Sequence, residues 1–237
     1  MKNRISIVIP FFNEDKEISK VFKDIVKFEK KSKIVNEYIF IDDCSTDKSL
    51  KLFNSFKKIL SPNFKRKVRL FKNKKNLGWS KSLLKGYSLA KSQYILYIPG
   101  DGEAKLCEFL KKINFQYDLV IFQRKSMNTR PVMRRIISKI YKYILYYIFP
   151  IELSDLNGII LIKKIKIKEL KLFSNSFFIS AEIIIKSFIK KYKIDTSRKF
   201  KLSKKKIYKS TSLSFVQLFY VLIDLLKLIS FRVKIIF

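Results

Sequence analysis

Short β-branched and aromatic runs alternate with helical-period segments through the first half of the chain, and this alternation constrains the fold more than any other feature. Ile5-Ser6-Ile7-Val8-Ile9 is halted at Pro10, and Glu17 to Lys30 then carries Ile18, Val21, Phe22 and Ile25 at helical spacing. Glu37 to Ile41 forms the next run and leads into Asp42-Asp43-Cys44-Ser45-Thr46-Asp47, where Ser45 or Thr46 can cap a helix from about Asp47 to Leu60. A strand over Val68 to Phe71, a helix over Ser80 to Ala90 and a strand over Tyr94 to Ile98, stopped by Pro99-Gly100, complete a β-α-β-α-β-α-β order. That order predicts an α/β fold: a mostly parallel sheet flanked by helices.

Sheets wound in this way take ligands outside the carboxyl ends of their strands. Three of the four strands end in Asn13-Glu14, Asp42-Asp43 and Asp101-Gly102-Glu103, so acidic groups are expected at one edge. Any one of these clusters is also ordinary turn or cap chemistry, but three at one edge favour a site.

Composition narrows the chemistry. The 237 residues include 52 Lys and Arg against 19 Asp and Glu, a formal charge of +33, with 48% hydrophobic residues. Apolar content of that size supports a packed domain rather than disorder. The chain has no His, which removes Ser-His and Cys-His catalysis and His-ligated metals, so carboxylates must carry any chemistry. Its two cysteines, Cys44 and Cys107, fit a reduced compartment. Of the cations 43 are Lys and nine are Arg. Such a bias can reflect an A+T-rich coding genome, yet the field it creates favours anionic membranes, nucleotide phosphates or nucleic acid.

The runs Ser6 to Glu14, Ile41 to Asp47, Asn76-Leu77-Gly78 with Gly86 and Ala90, and Asp101-Gly102-Glu103 together resemble family 2 glycosyltransferases in order and spacing, across roughly residues 4 to 105. The resemblance implies the nucleotide-sugar-binding GT-A fold. It implies that Pro10, Phe12, Glu14, Asp42, Asn76 and Gly78 lie around the nucleotide, that Asp43 accepts a hydrogen bond from the base, and that Asp101 and Glu103 stand at the family's Asp-x-Asp motif. Carboxylates at that motif hold Mg²⁺ or Mn²⁺ on the diphosphate, an ion that serves as Lewis acid for the leaving group. Glu103 departs from the pattern, and its longer side chain makes Asp101 the better ligand. Gly78 and Gly86 also have purely structural readings, as a turn and a close helix-to-sheet contact.

Beyond a further strand at Leu119 to Phe122, four of the nine arginines, Arg124, Arg130, Arg134 and Arg135, fall within twelve positions. Where Lys is the default cation, Arg suggests a bidentate fork toward phosphate, and loops of this kind resemble those of polyprenyl-phosphate glycosyltransferases; a solvated helix end is the plainer reading. Asp155-Leu156-Asn157-Gly158, before a strand at Ile159 to Ile162, resembles the Asp-x-x-x-Gly region of that subgroup with one residue fewer. Glu182, in Phe177 to Glu182, matches an acceptor-side acidic position. Asp155 or Glu182 would serve as general base for a saccharide hydroxyl, whereas a lipid phosphate is already ionised and needs none. Glu182 is also readable as a first-turn helix carboxylate.

The tail from Ser212 is apolar, but its uncharged run ends at Ile223, short of a membrane span. Phe215, Leu218, Leu222, Leu225, Ile229 and Val233 fall on one helical face, with Gln217, Tyr220, Asp224 and Lys227 opposite, and Lys204 to Lys206 lie nearby. The expectation is a transferase domain over 1–203 and a basic amphipathic tail over 204–237 lying on an anionic membrane surface. Ile136 to Phe149, with Tyr141, Tyr143, Tyr146, Tyr147, Lys139 and Lys142, is a second interfacial candidate. A helix packed on the core or on another subunit is the alternative for both segments. Ile5 to Pro10 is too short for the core of a signal peptide, so the expected location is the cytoplasmic face of the plasma membrane.

The function expected is inverting hexosyl transfer from a nucleotide-diphosphate sugar to polyprenyl phosphate or a lipid-linked glycan. Transfer to a saccharide hydroxyl in cell-surface polysaccharide is an alternative, as is a non-enzymatic basic nucleic-acid-binding protein. Without a nucleic-acid module in the sequence, nucleic acid is not the expected partner.

Overall fold

The computed structural model describes residues 4–109, 112–125, 132–149, 151, 153, 155–201 and 215–236, and within helices 132–148 and 215–236 the side chains of 139–148 and 219–231. In chain order the elements are β1 Ile5–Phe11, α1 Ile18–Lys31, β2 Val35–Asp42, α2 Ser49–Lys58, α3 Pro62–Lys67, β3 Val68–Lys72, α4 Trp79–Leu89 and β4 Tyr94–Tyr97. They continue through β5 Leu119–Arg124, α5 Val132–Ile148, β6 Ile159–Lys163, α6 Lys164–Glu169, α7 Ile179–Ile189, β7 Ile194–Phe200 and α8 Phe215–Ile236. The seven strands make one sheet in the order β3-β2-β1-β4-β6-β5-β7. Only β6 runs against its neighbours β4 and β5; the other pairings are parallel.

Strand β1 is buried along its whole length, as a central strand covered on both faces must be. Helix α1 buries Ile18, Val21, Phe22, Ile25 and Phe28, a stripe at i, i+3, i+4, i+7 and i+10, and Phe22 stacks on Phe56 of α2 at 4.2 Å and 2°. Helix α4 crosses the sheet at Gly86, where a Cβ would stand 2.2 Å from Val8 Cγ1. Only a residue without a side chain permits that approach.

The two edges of the parallel strands differ in their electrostatics. At the amino-terminal edge Glu37 takes Arg69 Nη1 at 2.5 Å, the Ser6 hydroxyl at 2.7 Å and the Lys91 amide at 2.6 Å, and Glu29 takes Lys67 at 2.5 Å. These carboxylates are spent on the fold. At the carboxyl edge the ends of β1, β2, β3 and β4 are joined by backbone hydrogen bonds from Asp43 to Phe11, Asn73 to Asp42 and Gly100 to Pro10, and Arg124 at the end of β5 pairs with Asp155 ahead of the reversed strand β6.

Helix α8 packs on the body with Asp224, Leu225 and Leu228 buried, while Phe219, Tyr220, Leu222, Leu226 and Lys227 are exposed. This corrects the expected division of faces. Asp224 points inward because its Oδ2 accepts the Asn175 and Ser176 amides, each at 3.1 Å, and the Ser176 hydroxyl at 2.7 Å. Leu222 is left outside. The side chains of Phe215, Gln217, Leu218 and Val233, the Lys204 to Lys206 cluster and the expected boundary at 203/204 lie outside the described residues. In α5, Tyr141 has a buried hydroxyl, whereas Ile140, Tyr143, Ile144, Tyr146 and Tyr147 are exposed. Among the described residues no helix is long and apolar enough to cross a membrane.

Candidate functional site

The loop after β1 is stitched to the loop after β2. Asn13, held at a positive φ of 53°, accepts the Thr46 amide on Oδ1 at 2.9 Å and donates its own amide to Ser45 Oγ at 3.1 Å. The Glu14 amide donates to Ser49 Oγ at 2.8 Å, and the Asp15 amide to Asp47 Oδ2 at 2.9 Å. Asp47 Oδ1 takes the first amide of α2, from Ser49, at 2.9 Å, so Asp47, one residue before the cap position Lys48, satisfies that donor rather than Ser45 or Thr46. Burial opposes ionisation of Asp47, but its hydrogen bonds from Ser49 and the neighbouring amides hold it below the usual carboxylate range. Phe12 leaves the strand end exposed, while Pro10 is buried inside β1.

Asp42 and Asp43 differ although adjacent. Asp43 Oδ1 accepts from Asn73 Nδ2 at 2.8 Å and the Leu77 amide at 2.9 Å, and its Oδ2 accepts the Gly78 amide at 2.8 Å. Asn76 Oδ1 also takes the Gly78 amide, at 3.0 Å, and Gly78 adopts a φ of 85° that favours glycine. Asp43 thus fixes the Asn76-Leu77-Gly78 turn at the start of α4, and its carboxylate already holds three donors. Asp42 Oδ1 takes the Ser45 amide at 2.8 Å, whereas its Oδ2 is buried with no hydrogen-bond partner. An orphaned buried acceptor of this kind costs about 1–3 kcal/mol unless a donor is supplied.

The turn after β4 passes beneath β1. A Cβ on Gly100 would stand 2.6 Å from Phe11 Cβ and 2.8 Å from the Pro10 carbonyl, so glycine is required there. Gly102, at φ 68°, folds the chain back so that the Glu103 amide meets Asp101 Oδ1 at 3.0 Å. Both carboxylates are half-buried. They lie close enough to Tyr97 to raise its phenol beyond the effect of burial, the larger cause.

Arg124, at the end of β5, reaches the same place. Its Nε and Nη2 grip Asp155 Oδ2 and Oδ1 at 2.5 and 2.6 Å, and its charge is felt by Glu103 and Tyr97. Burial works against both ions, yet the paired hydrogen bonds raise the guanidinium and hold Asp155 below the usual carboxylate range. The backbone of Arg135 lies in α5; its side chain, with that of Arg134 and all of Arg130, is outside the described residues.

Asp101 and Glu103 are the two carboxylates of this turn, oxygen donors of the type that a hard divalent cation takes. No group of three acidic or cysteine side chains that could hold an ion alone occurs among the described residues.

Glu182 does not fit the role of general base. It is fully buried, its carboxylate accepts the Phe173 and Ser174 amides at 3.1 and 2.9 Å, and it pairs with Lys186 Nζ at 2.6 Å. Lys186 is itself buried, donates to the Leu170 and Lys171 carbonyls and sits 4.1 Å over the Phe173 ring. Asp155 is a poor base for a related reason: both of its oxygens are committed to Arg124. Sequence reasoning gave no site role to Asn73, Tyr97 or the Lys186 partner of Glu182, and it placed Asp224 on the outer face of α8. Of these only Lys186, four residues after Glu182, left a readable signal.

The sequence profile of Glycosyl transferase family 2 matches residues 6–174 of the chain. An uncharacterized protein of Methanocaldococcus jannaschii is 34% identical over 136 residues, covering 54% of this chain and 55% of that protein. Dolichyl-phosphate beta-glucosyltransferase of Dictyostelium discoideum is 31% identical over 111 residues, covering 44% of this chain and 33% of that protein. The chain therefore aligns with about half or less of these relatives' length. Glucosyl-3-phosphoglycerate synthase of Mycobacterium tuberculosis, crystallised with Mn²⁺, uridine diphosphate and phosphoglyceric acid, superposes with a TM-score of 0.72 over 95% of this chain and 78% of that one. At 16% identity that likeness establishes the GT-A fold alone. With the profile spanning most of the chain, including the carboxyl-edge loops, the chain belongs to glycosyl transferase family 2.

Proposed function

We propose that the chain transfers a hexose, with inversion, from a nucleotide-diphosphate sugar to polyprenyl phosphate or a lipid-linked glycan at a membrane surface. The observation that carries this reading is the convergence of Asp42, Asp101 and Glu103, with the Arg124–Asp155 pair, at one edge of the sheet. Pro10, Phe12, Glu14, Asn76 and Gly78 border the nucleotide. Asp43 is the acceptor for an N–H of the base and also holds the turn that borders it, with Asp42 buried behind it. Asp101, with Glu103, would hold Mg²⁺ or Mn²⁺ on the diphosphate; when bound, the ion neutralises charge on the leaving group. Arg124 is the expected phosphate fork, but its Nε and Nη2 are taken by Asp155, so toward a phosphate it would contribute only the field of a neutralised ion pair. Arg135 is a second phosphate candidate from its place in the sequence.

Commitment of Glu182 and Asp155 to cations favours an acceptor that needs no base, and an ionised lipid phosphate is such an acceptor. The dolichyl-phosphate relative acts on an acceptor of that kind by its name. Peripheral attachment to anionic lipid is supported by the +33 charge and by the apolar outer faces of α5 and α8.

Transfer from a panel of labelled UDP- and GDP-hexoses in Mn²⁺, with polyprenyl phosphate as acceptor, tests the reading. Label in a chloroform-soluble product is expected. Label only in water-soluble saccharide would favour a hydroxyl acceptor instead.

A further inference from the structure

An aromatic cluster links the start of α4, the end of β4 and the residues just before α7. Trp79, the first residue of α4 and the only tryptophan in the chain, stacks on Phe177 with ring centres 5.6 Å apart and planes 25° apart. It meets Tyr97 edge-on at 5.4 Å, and its Nε1 donates to the Tyr97 hydroxyl at 3.2 Å. Tyr97 is the last residue of β4, and from it the chain runs through Pro99-Gly100 directly into the turn of Asp101 and Glu103. The aromatic wall therefore stands beside the proposed diphosphate position.

Both halves of the wall are anchored from outside it. Trp79 follows Gly78, whose amide is held by Asp43, so its place is tied to the nucleotide loop. Phe177 follows Ser176, whose carbonyl takes the Ser80 hydroxyl and whose amide and hydroxyl are bound by Asp224 of α8. Phe177 nevertheless remains 39% exposed and Trp79 only half-buried. A fixed, partly open pair of rings beside a charged site matches one ligand chemistry in particular. A pyranose gathers its C–H groups on one face and its hydroxyls at the rim, and the negative face of an aromatic ring attracts such C–H groups.

We infer that Trp79 and Phe177 form a subsite for the apolar face of the hexose carried by the donor. The inference rests on the proposed sugar-nucleotide reading and adds the residues that would distinguish a sugar nucleotide from its bare nucleoside diphosphate.

The test uses the full chain with Mn²⁺ and follows Trp79 emission and calorimetric affinity for UDP-glucose, UDP-galactose and GDP-mannose, each beside UDP or GDP. At least one sugar nucleotide should change the emission where its nucleoside diphosphate does not. In Phe177→Ala the affinity for that sugar nucleotide should fall about five- to tenfold while the nucleoside diphosphate binds as before, which also shows that the variant is folded. Equal losses for both ligands, or no loss for either, would overturn the inference and leave the donor reading standing. Failure of every nucleotide to bind the unaltered chain would overturn the donor reading and this inference with it.

Discussion

Arg124 and Asp155 meet through two parallel hydrogen bonds, Nε to Oδ2 at 2.5 Å and Nη2 to Oδ1 at 2.6 Å, across the junction between β5 and the approach to β6. Both side chains are nearly closed to solvent, so neither ion is tolerable without the other. Asp155→Ala should therefore cost about 3 kcal/mol or more, a fall in Tm of roughly 6–12 °C for a chain of this size. Thermal unfolding followed by circular dichroism measures it.

The same pair sets part of the acid response. Asp155 ionises more readily in the fold than in the unfolded chain, because Arg124 outweighs the opposing effect of burial. A carboxylate with a depressed folded pKa stabilises the native state above its ordinary value of about 3.9, and that contribution disappears as pH falls through the folded value. Tm should thus decline below about pH 4, and Asp155→Asn should decline less steeply over the same range while starting lower at neutral pH.

Glu182 and Lys186 predict a separation of stability from catalysis. Glu182→Gln strands a buried ammonium and should lower stability by about 3 kcal/mol or more. Well below its Tm the variant should turn over at the unaltered rate, whereas a general base would lose 10²-fold or more, on the order of what proton transfer supplies.

Gly86 gives a purely steric prediction. In Gly86→Ala the new methyl carbon would stand 2.2 Å from Val8 Cγ1 on the central strand, so α4 must lift from the sheet. Overpacking of this kind costs about 1–3 kcal/mol. Chemical denaturation with urea should show the lower midpoint.

The outer face of α8 predicts lipid binding that does not depend on the fold. Leu222 and Leu226 are exposed, so Leu222→Ser with Leu226→Ser should leave Tm within about 1 °C. Co-sedimentation with phosphatidylglycerol vesicles should drop severalfold. Unchanged sedimentation would assign this face to something other than lipid.

The six strands and the principal helices were legible because β-branched runs broken by Pro, Gly or Asp are hard to mistake. Strand β7 was not, since Ile194 to Phe200 reads as polar: only Asp195 and Phe200 turn inward, and Asp195 is reconciled to burial by Ser197 and Arg198. Nor does a sequence encode strand direction, so the reversal of β6 could not be read. At the site, the acidic clusters showed where the carboxylates would gather but not which were already committed. Asp42 and Asp43 look alike in sequence, and only the distant partners Asn73, Leu77 and Gly78 tell them apart. Asp224 misled for the same reason: amphipathic logic turns a charge toward water, while its partners at Asn175 and Ser176 lie 48 or more residues upstream.

Asp101 provides the most direct trial of the central claim, that carboxylates at this edge hold an activated sugar through a divalent cation. Hexose transfer from the preferred nucleotide sugar should be measured in the unaltered chain and in Asp101→Ala, with Mn²⁺ and with chelator. Cation-dependent turnover is expected, falling roughly 10²–10³-fold in the variant, on the scale of removing one main electrostatic support of a transition state. Equal turnover in both proteins, or transfer indifferent to Mn²⁺, would contradict it.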